Sequence, residues 1–347
     1  MRRFLALVLF APALLAGCDQ VQPIAWRAPV ANAQVTWMPL DLVFDFAEQN
    51  AVSGSLRVTL NGNEVTSLFT VDPAVNGRAT AHASRVWGPG LVAPGTNTLR
   101  AQVTFSSGVT SFDEISFTTT GDPYADAVTE FVPGAGGGFG QSGLPGRVTG
   151  PPLGAGLFGG GLDVVSLGVS GRIDVAMTNN VIVNGPGADF TVFENAFLSI
   201  GAYSMTGAPF AEPGRVSVSQ DGVTWVAFPC AIGSPPYYPG CAGVYPVLSN
   251  ASNPSSPHAS IPTTAPIESL VGVSVFDLAL PEGAGGDSFD LATVGLAWAR
   301  YVRIEASPVA TGPEGADNAR FDLDAVSAVN SAPATDANGN GIPDAAE

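Results

Sequence analysis

The sequence predicts an all-β protein made of two β-sandwich domains. Stretches such as Thr98–Phe105 alternate apolar and polar residues, which is typical of strands with one buried face. The chain contains 42 glycines and 29 prolines, a composition that favours short strands joined by turns over long helices. With 347 residues and 46% hydrophobic content, it is long enough for two or three domains with real cores.

The charge of the chain limits the kinds of partner that it can bind. All 13 basic residues are arginine, and 30 acidic residues give a formal net charge of −17. Such a surface repels phosphate backbones, so we do not expect nucleic-acid binding. It attracts cations, calcium in particular, although acidic side chains also simply keep an exported protein soluble.

The first 18 residues have the organisation of an export signal. Arg2 and Arg3 precede an apolar run, Phe4–Leu15, that is shorter than a typical membrane span. The sequence Leu-Ala-Gly-Cys then ends at Cys18 and resembles the lipobox of bacterial lipoproteins. This resemblance implies cleavage after residue 17 and lipidation of Cys18, which places the protein in the cell envelope, at the outer membrane or cell surface. Residues 18–33 show little periodicity, so we predict a tether. An ordinary secretory signal with a chance cysteine is the alternative, and the membrane leaflet stays open.

Residues 34–120 are predicted to form the first sandwich. Asn61-Gly62 is the strongest short hairpin signal and follows the alternating stretch Ser55–Leu60. The phrases LNGNEVT and PGTNTLRAQV are similar to immunoglobulin-like modules of bacterial surface proteins, and the resemblance implies an immunoglobulin-like fold. The domain would be either a ligand-binding module or a spacer.

Residues 121–330 are predicted to form the second sandwich. The stretch Asp189–Asn195 carries apolar residues on both parities, so we expect a central strand covered on both sides. The turn Gln220–Gly222 predicts a hairpin, and the stretch Val271–Leu280 predicts a further strand. The glycine-rich segment 134–161 matches a dinucleotide-binding fingerprint by letter, but Pro151-Pro152 precedes that match where a strand is required, so we predict a loop.

The sequence of the second domain shows a further resemblance. VSVSQDGVTWVAF, followed later by ARYVRIEA, is similar to the discoidin family of galactose-binding-like jelly rolls, and DFTVFENAF and FDLDAV also resemble a bacterial cell-surface family. The resemblance implies binding of glycans, lipids or proteins through loops at one end of the sandwich. Those loops vary, so no ligand residue can be transferred.

Cys230 and Cys241 lie close together in the second domain, and in an oxidising envelope we expect them to form a disulfide. Tyr237, Tyr238 and Tyr245 lie in or beside the closed loop. They would either be exposed and bind a sugar or a partner, or cover the end of the sandwich.

Two groups of oxygen-bearing side chains are candidate calcium sites, because calcium takes six to eight oxygen ligands. Glu194, Asp322 and Asp324 would share an ion between an early strand and the last one; the alternative is solvated strand ends. Residues 331–347 contain the spacing D-x-N-x-N-G-x₅-E, which is similar to the calcium loops of thrombospondin type 3 repeats, with a chance acidic tail as the alternative. Its expected ligands are Asp336, Asn338, Asn340, the carbonyl of Ile342, Asp344 and Glu347.

The sequence contains no recognisable catalytic apparatus, so we predict a non-catalytic binding or adhesion protein for a glycan or a surface partner. Only two histidines occur, and we find no nucleophile elbow or zinc triad. One alternative is a glycoside hydrolase that uses two carboxylates, for which Glu194, Glu212, Asp221 and Asp290 are the candidates. Another is a structural lipoprotein that assembles with other envelope proteins.

Overall fold

The computed structural model describes residues 24–35, 40–47, 51–86, 91–92, 95–119, 121–249, 259–308 and 320–347. It confirms the all-β class and contains several sheets arranged as β-sandwiches. The helical segments in these ranges are all short 3-10 turns: Thr66–Leu68, Gln141–Gly143, Ala202–Ser204, Ile267–Leu270, Leu291–Val294 and Asp344–Ala346. Cys18 lies outside the described residues.

Residues 24–119 form a sandwich of two sheets. The strands are β1 (Ile24–Ala28), β2 (Gln34–Val35), β3 (Leu40–Ala47), β4 (Arg57–Leu60), β5 (Asn63–Glu64), β6 (Thr70–Val71), β7 (Arg78–Val86), β8 (Gly95–Thr104) and β9 (Thr110–Thr119). One sheet has the order β1-β3-β7-β6 and the other β2-β9-β8-β4-β5. The first order corresponds to the A-B-E-D sheet of immunoglobulin-type sandwiches, and β9-β8-β4 corresponds to G-F-C.

The Asn61-Gly62 turn connects β4 to β5 as predicted. Both residues have positive φ, 50° and 81°, as a two-residue hairpin turn requires. Alternate residues of the strands fill one core, in which the side chains of Phe44 and Phe117 have no exposed surface. The period-two pattern of the sequence therefore determined which side chains became buried.

Strand β1 corrects the predicted tether. Residues Ile24 and Trp26 are buried, and β1 pairs with β3. The alternation covers only these few residues and ends at Pro29, which made the pattern too short to predict a strand. The segment 24–28 therefore belongs to the first sandwich.

The second unit follows from residue 121. Its strands are β10 (Ala127–Val132), β11 (Val165–Ser166), β12 (Arg172–Ala176), β13 (Asn180–Val183), β14 (Phe190–Phe193), β15 (Phe197–Ile200), β16 (Thr206–Phe210), β17 (Gly214–Ser219), β18 (Val226–Ala227), β19 (Asp287–Phe289), β20 (Trp298–Ala299), β21 (Tyr301–Ala306), β22 (Asp322–Leu323), β23 (Ala325–Ala328) and β24 (Ser331–Pro333). The largest sheet has the order β10-β12-β21-β17-β18, and the remaining strands form sheets of two or three.

Strand β14 is central and covered on both sides, as predicted. It pairs with β19 on one side and β23 on the other, and all four of its residues are buried. Phe190 belongs to the main core of the unit, whereas Phe193 belongs to a smaller cluster with Tyr124. The two aromatic residues therefore pack into two different clusters, the main core and the smaller cluster.

The glycine-rich segment 134–161 is a loop, as predicted. It lies so close to the β11 region that side chains would collide: a Cβ on Gly134 would lie 1.9 Å from the Val169 carbonyl oxygen, and one on Gly137 would lie 2.3 Å from that of Leu167. Glycine at these positions allows two backbone segments to hydrogen-bond directly, for example from Gly134 N–H to the Leu167 carbonyl.

One predicted strand and one predicted domain boundary differ from the structure. The segment 271–280, predicted to be a strand, forms turns, and Phe276 and Leu280 are exposed. Its apolar residues gave a strand-like pattern, but few of its backbone groups find a partner strand. In addition, β24 pairs with β13, so residues 331–333 belong to the sandwich and the C-terminal loop starts after them.

Candidate functional site

Three buried or partly buried carboxylates, Glu194, Glu212 and Asp322, form the most unusual cluster of the second unit. Glu194 follows β14, Glu212 lies between β16 and β17, and Asp322 begins β22. The exposed fraction is 1% for Glu194 and 7% for Glu212. We refer to these three residues as the carboxylate cluster.

Backbone N–H groups hold one oxygen of each glutamate in the cluster. Asp322 N–H donates to Glu194 Oε1 at 3.2 Å, and Arg320 N–H donates to Glu212 Oε1 at 3.1 Å. The Asn195 amide donates to Asp322 Oδ2 at 3.2 Å. Within the described residues, Glu194 Oε2 and Asp322 Oδ1 are buried and have no hydrogen-bond partner.

Burial makes ionisation of the cluster costly. Desolvation, reinforced by the charge of Asp322, raises the pKa of Glu212 to about 8. Desolvation and the charges of Glu212 and Asp322 raise the pKa of Glu194 well above its usual value, and burial also raises the pKa of Asp322. Glu212 therefore retains its proton at neutral pH unless a cation replaces it.

The orphaned oxygens and the all-oxygen donor set suit a hard cation such as calcium. The side chains are not already drawn together for one, because the described part of the chain contains no group of three or more His, Cys, Asp or Glu side chains with metal-binding spacing. An ion at this position would have to move the carboxylates towards one another.

Asp324, predicted to share an ion with Glu194 and Asp322, has a backbone partner of its own. Both of its oxygens accept the Leu153 N–H, at 3.1 and 3.0 Å, and burial raises its pKa well above the usual value. The chain changes partner at this residue: β22 pairs with β11, and β23 pairs with β14. Asp322 and Asp324 would share one face only in a continuous strand, and the strand is interrupted at Asp324.

Glu212 was not among the predicted calcium ligands. It stands alone before Pro213-Gly214, and no spacing in the sequence relates it to Glu194 or Asp322. Only the pairing of β17 with β21 and the contact of its oxygen with Arg320 N–H bring it into the cluster.

The disulfide between Cys230 and Cys241 is present, as predicted. Of the two alternatives for the neighbouring tyrosines, the structure favours the one in which they cover the end of the sandwich. Tyr238 and Tyr245 have exposed fractions of only 4% and 6%, and Tyr237 is partly buried. All three pack in a small apolar cluster with residues such as Leu198 and Leu270, so they cover this end of the sandwich.

The C-terminal loop is folded around its first acidic residue. Asp336 accepts hydrogen bonds from the backbone N–H groups of Gly339, Asn340 and Gly341 at 2.7–3.2 Å. The remaining predicted ligands are linked within the same loop: Asn338 Oδ1 accepts the Asn340 N–H, Asn340 Oδ1 accepts the Ile342 N–H, Asp344 accepts the Ala337 N–H, and Glu347 Oε1 accepts both side-chain amides. The side-chain oxygens at loop positions 1, 3 and 5 are thus held by the backbone.

The other acids considered for hydrolysis have local structural roles. Asp221 accepts the N–H groups of Val223 and Thr224 in the hairpin turn, and these bonds lower its pKa to about 2. Asp290 accepts the Ala292 N–H and begins a 3-10 turn. A general acid for glycoside hydrolysis needs a raised pKa, whereas that of Asp221 is lowered, and Asp290 serves as the cap of its turn.

No protein-family model and no curated protein matches the sequence. The crystal structure of CopC from Methylosinus trichosporium OB3b is similar to part of the chain at 16% identity and a TM-score of 0.20, covering 28% of this chain and 92% of that one. The structure of CBM51-2, in complex with GlcNAc, and INT domains from Clostridium perfringens ZmpB is similar at 12% identity and a TM-score of 0.21, covering 78% of this chain and 42% of that one. We draw no functional conclusion from either likeness.

Proposed function

We propose that the protein is a lipid-anchored, non-catalytic binding protein of the bacterial cell envelope, with a glycan as the ligand of its second unit. The observation that carries this proposal is the construction of that unit. A buried sandwich core supports loops that are fixed by a disulfide and by carboxylate–backbone bonds, which is how rigid scaffolds position binding loops. The first unit, with its immunoglobulin-type strand order, is the spacer.

The binding role is preferred to hydrolysis because of where the perturbed acids lie. Glu194 and Glu212 have raised pKa values, but both are buried below the surface. A glycoside hydrolase needs its two carboxyl groups on either side of an accessible bond. No helix in the described ranges is long and apolar enough to cross a membrane, and the proposed anchor is the lipid on Cys18.

Binding to an array of immobilised glycans tests the main proposal. The chain without residues 1–17 should bind a restricted set of glycans and leave them chemically intact. Release of reducing ends, abolished by Glu194→Gln, would instead establish a hydrolase. Co-purification of one fixed envelope protein without glycan binding would establish an assembly role.

Lipidation is tested in cells that export the protein. The wild-type chain should incorporate labelled palmitate and partition into detergent, and Cys18→Ser should do neither. Labelled Cys18→Ser protein, or unlabelled wild type that is still exported, would reject the anchor.

We further propose calcium as a stabilising ion, held weakly by the C-terminal loop with a Kd of about 10⁻⁴–10⁻³ M. The carboxylate cluster is the second calcium position, with Glu212 taking the place that the sequence prediction gave to Asp324. Calorimetry with and without calcium measures both sites. An unchanged melting temperature of the second unit and no heat of binding would overturn the proposal.

A further inference from the structure

A groove of about 300 Å³ lies on the second unit, between the hairpin β15–β16 and the disulfide loop 230–241. We call it the hairpin groove. Its main lining residues are Phe197, Ser199, Ala208, Phe210, Pro235 and Pro236. The volume lies at the lower end of the range of small-ligand sites, roughly 300–1,000 Å³, so the groove suits one or two rings better than a long chain.

Two aromatic rings form the floor of the hairpin groove. Leu198 is buried in the apolar cluster below the hairpin, and successive side chains of a strand point to opposite faces, so its neighbour Phe197 points to the groove. Phe197 lies opposite Phe210 in the strand pairing, and the two rings stack with their centroids 4.9 Å apart and their planes at 11°. Both residues are only partly buried, and Ser199 and Ala208 beside them are exposed. A ligand can therefore reach these rings, in contrast to the buried phenylalanines of the main core.

The opposite wall of the hairpin groove is held in one conformation. The disulfide closes the loop that carries the exposed residues Pro235 and Pro236. Tyr238 N–H donates to the Ser234 carbonyl at 3.0 Å, and Tyr238 has a φ of 38°, which costs free energy in a residue with a side chain. Its ring lies at the base of the groove and packs in the same apolar cluster as Leu198. Strained residues of this kind cluster at ligand sites, and a fixed wall lowers the entropic cost of binding.

The hairpin groove is uncharged, although the chain carries a net charge of −17. None of the described residues that line it is an acid, an arginine or a lysine. An ionic group bound there would lose water without gaining a partner, which disfavours acidic sugars and sugars with a free ammonium group alike. Ser199 Oγ donates to the Ala208 carbonyl at 3.1 Å, so its oxygen can accept a hydrogen bond from a ligand. A neutral sugar matches this lining, because its ring has an apolar C–H face and hydroxyl donors on its rim.

We infer that the hairpin groove binds a neutral hexose unit of a glycan, whose C–H face packs against the stacked rings of Phe197 and Phe210. The hydroxyl groups on the rim of the sugar then face Ser199 and the disulfide loop. This inference rests on the proposed glycan-binding function and specifies its site and its class of ligand.

Isothermal titration of the chain without residues 1–17 tests the inference with neutral oligomers of glucose, galactose and mannose, and with charged oligomers of glucosamine and galacturonic acid. We expect a neutral oligomer to bind, and both charged oligomers to bind at least roughly tenfold more weakly. Phe210→Leu keeps the apolar bulk but removes the flat ring, so it should weaken binding roughly tenfold, whereas Phe210→Trp should retain it. Phe139→Leu, the same change at an exposed phenylalanine outside the groove, should have no effect.

A second variant separates the loss of the site from a loss of folding. Ala208 is exposed, so Ala208→Gln fills the groove without changing the core. It should weaken binding of the neutral oligomer and leave the melting temperature of the second unit unchanged.

Each contrary outcome rejects a specific part. Binding of a neutral glycan that is unchanged in Phe210→Leu and Ala208→Gln would reject the groove and leave the proposed function standing. Tighter binding of a charged oligomer would reject the neutral ligand. If monomeric dihexanoyl phosphatidylcholine bound in place of every sugar, or if the wild type self-associated, and Ala208→Gln abolished either, the groove would be a lipid site or an interface between copies, and the inference would be overturned. Absence of binding to every glycan, in titration and on the array, would overturn both the inference and the proposed function.

Discussion

The two units are both β-sandwiches, but they differ in how they treat buried charge. In the first unit, the buried carboxylate of Asp45 pairs with Arg27 and accepts a hydrogen bond from Thr80. The second unit contains one equivalent pair, Asp174 with Arg303 at 2.6 Å. It also buries the carboxylate cluster, for which the described residues offer no ion pair within 4 Å.

This difference fits the proposal that the first unit is a spacer and the second unit binds the ligand. A buried carboxylate that lacks a cation costs free energy, and a fold retains such groups where the stability of the apolar core can offset the cost. The long strands of the first unit enclose one core. In the described part of this unit, no buried carboxylate oxygen lacks a hydrogen-bond partner. The second unit has short strands, a disulfide and fixed loops around its acids, so binding is expected there.

The largest change is expected from truncating the central strand of the second unit. Phe190→Ala should lower the free energy of unfolding of that unit by about 3–5 kcal/mol, because Phe190 is fully buried against Phe228 and Phe289. Differential scanning calorimetry should show one transition shifted and one unchanged. Phe44→Ala, the matched change in the first unit, should shift the other transition. A common shift of both transitions in either variant would show that the units unfold together.

The next effect is a pH dependence confined to the second unit. The pKa of Glu212 is about 8 in the folded state, against 4.5 for an unperturbed glutamate. The folded state therefore binds the proton more tightly, and this contribution to stability is complete below pH 4.5 and is lost as the pH rises to about 8. The loss amounts to about 5 kcal/mol at most, at 1.36 kcal/mol per pKa unit.

Thermal unfolding in a chelating buffer between pH 5 and 8 measures this effect. The melting temperature of the second unit should fall with rising pH, and Glu212→Gln, which mimics the protonated side chain, should flatten the fall. Calcium should reduce the fall in the wild type, because a bound cation replaces the protons. A melting temperature that rises with pH would contradict the burial-based assignment.

Prediction from sequence succeeded for some of these features and not for others. Local patterns predicted β14 and the turn at Asn61-Gly62, because both depend on neighbouring residues. The Cys230–Cys241 disulfide was predictable because these are the only cysteines outside the predicted leader. Glu212 depends on β17 pairing with β21, a contact across some ninety residues that no local pattern encodes. The sequence left the exposure of the tyrosines open for a related reason, since their burial depends on apolar residues from distant segments.

A smaller effect is expected from removing the disulfide. The double variant Cys230→Ala, Cys241→Ala should destabilise the second unit by about 2–3 kcal/mol, because the crosslink restricts the unfolded chain over a separation of 11 residues. The melting temperature of the first unit should not change. An unchanged melting temperature of the second unit would show that the crosslink does not contribute to its stability.

The smallest effect on stability is expected at the C-terminal loop, and it bears on whether the second unit depends on calcium there. Asp336→Asn removes a carboxylate that accepts three backbone N–H groups, but the loop is exposed and follows the last paired strand. We expect the melting temperature without calcium to change little and the weakest calcium-binding step in calorimetry to disappear. Glu212→Gln should instead remove the step that stabilises the sandwich. If Asp336→Asn abolished all calcium binding, the loop would be the sole calcium site, and the carboxylate cluster would hold protons alone.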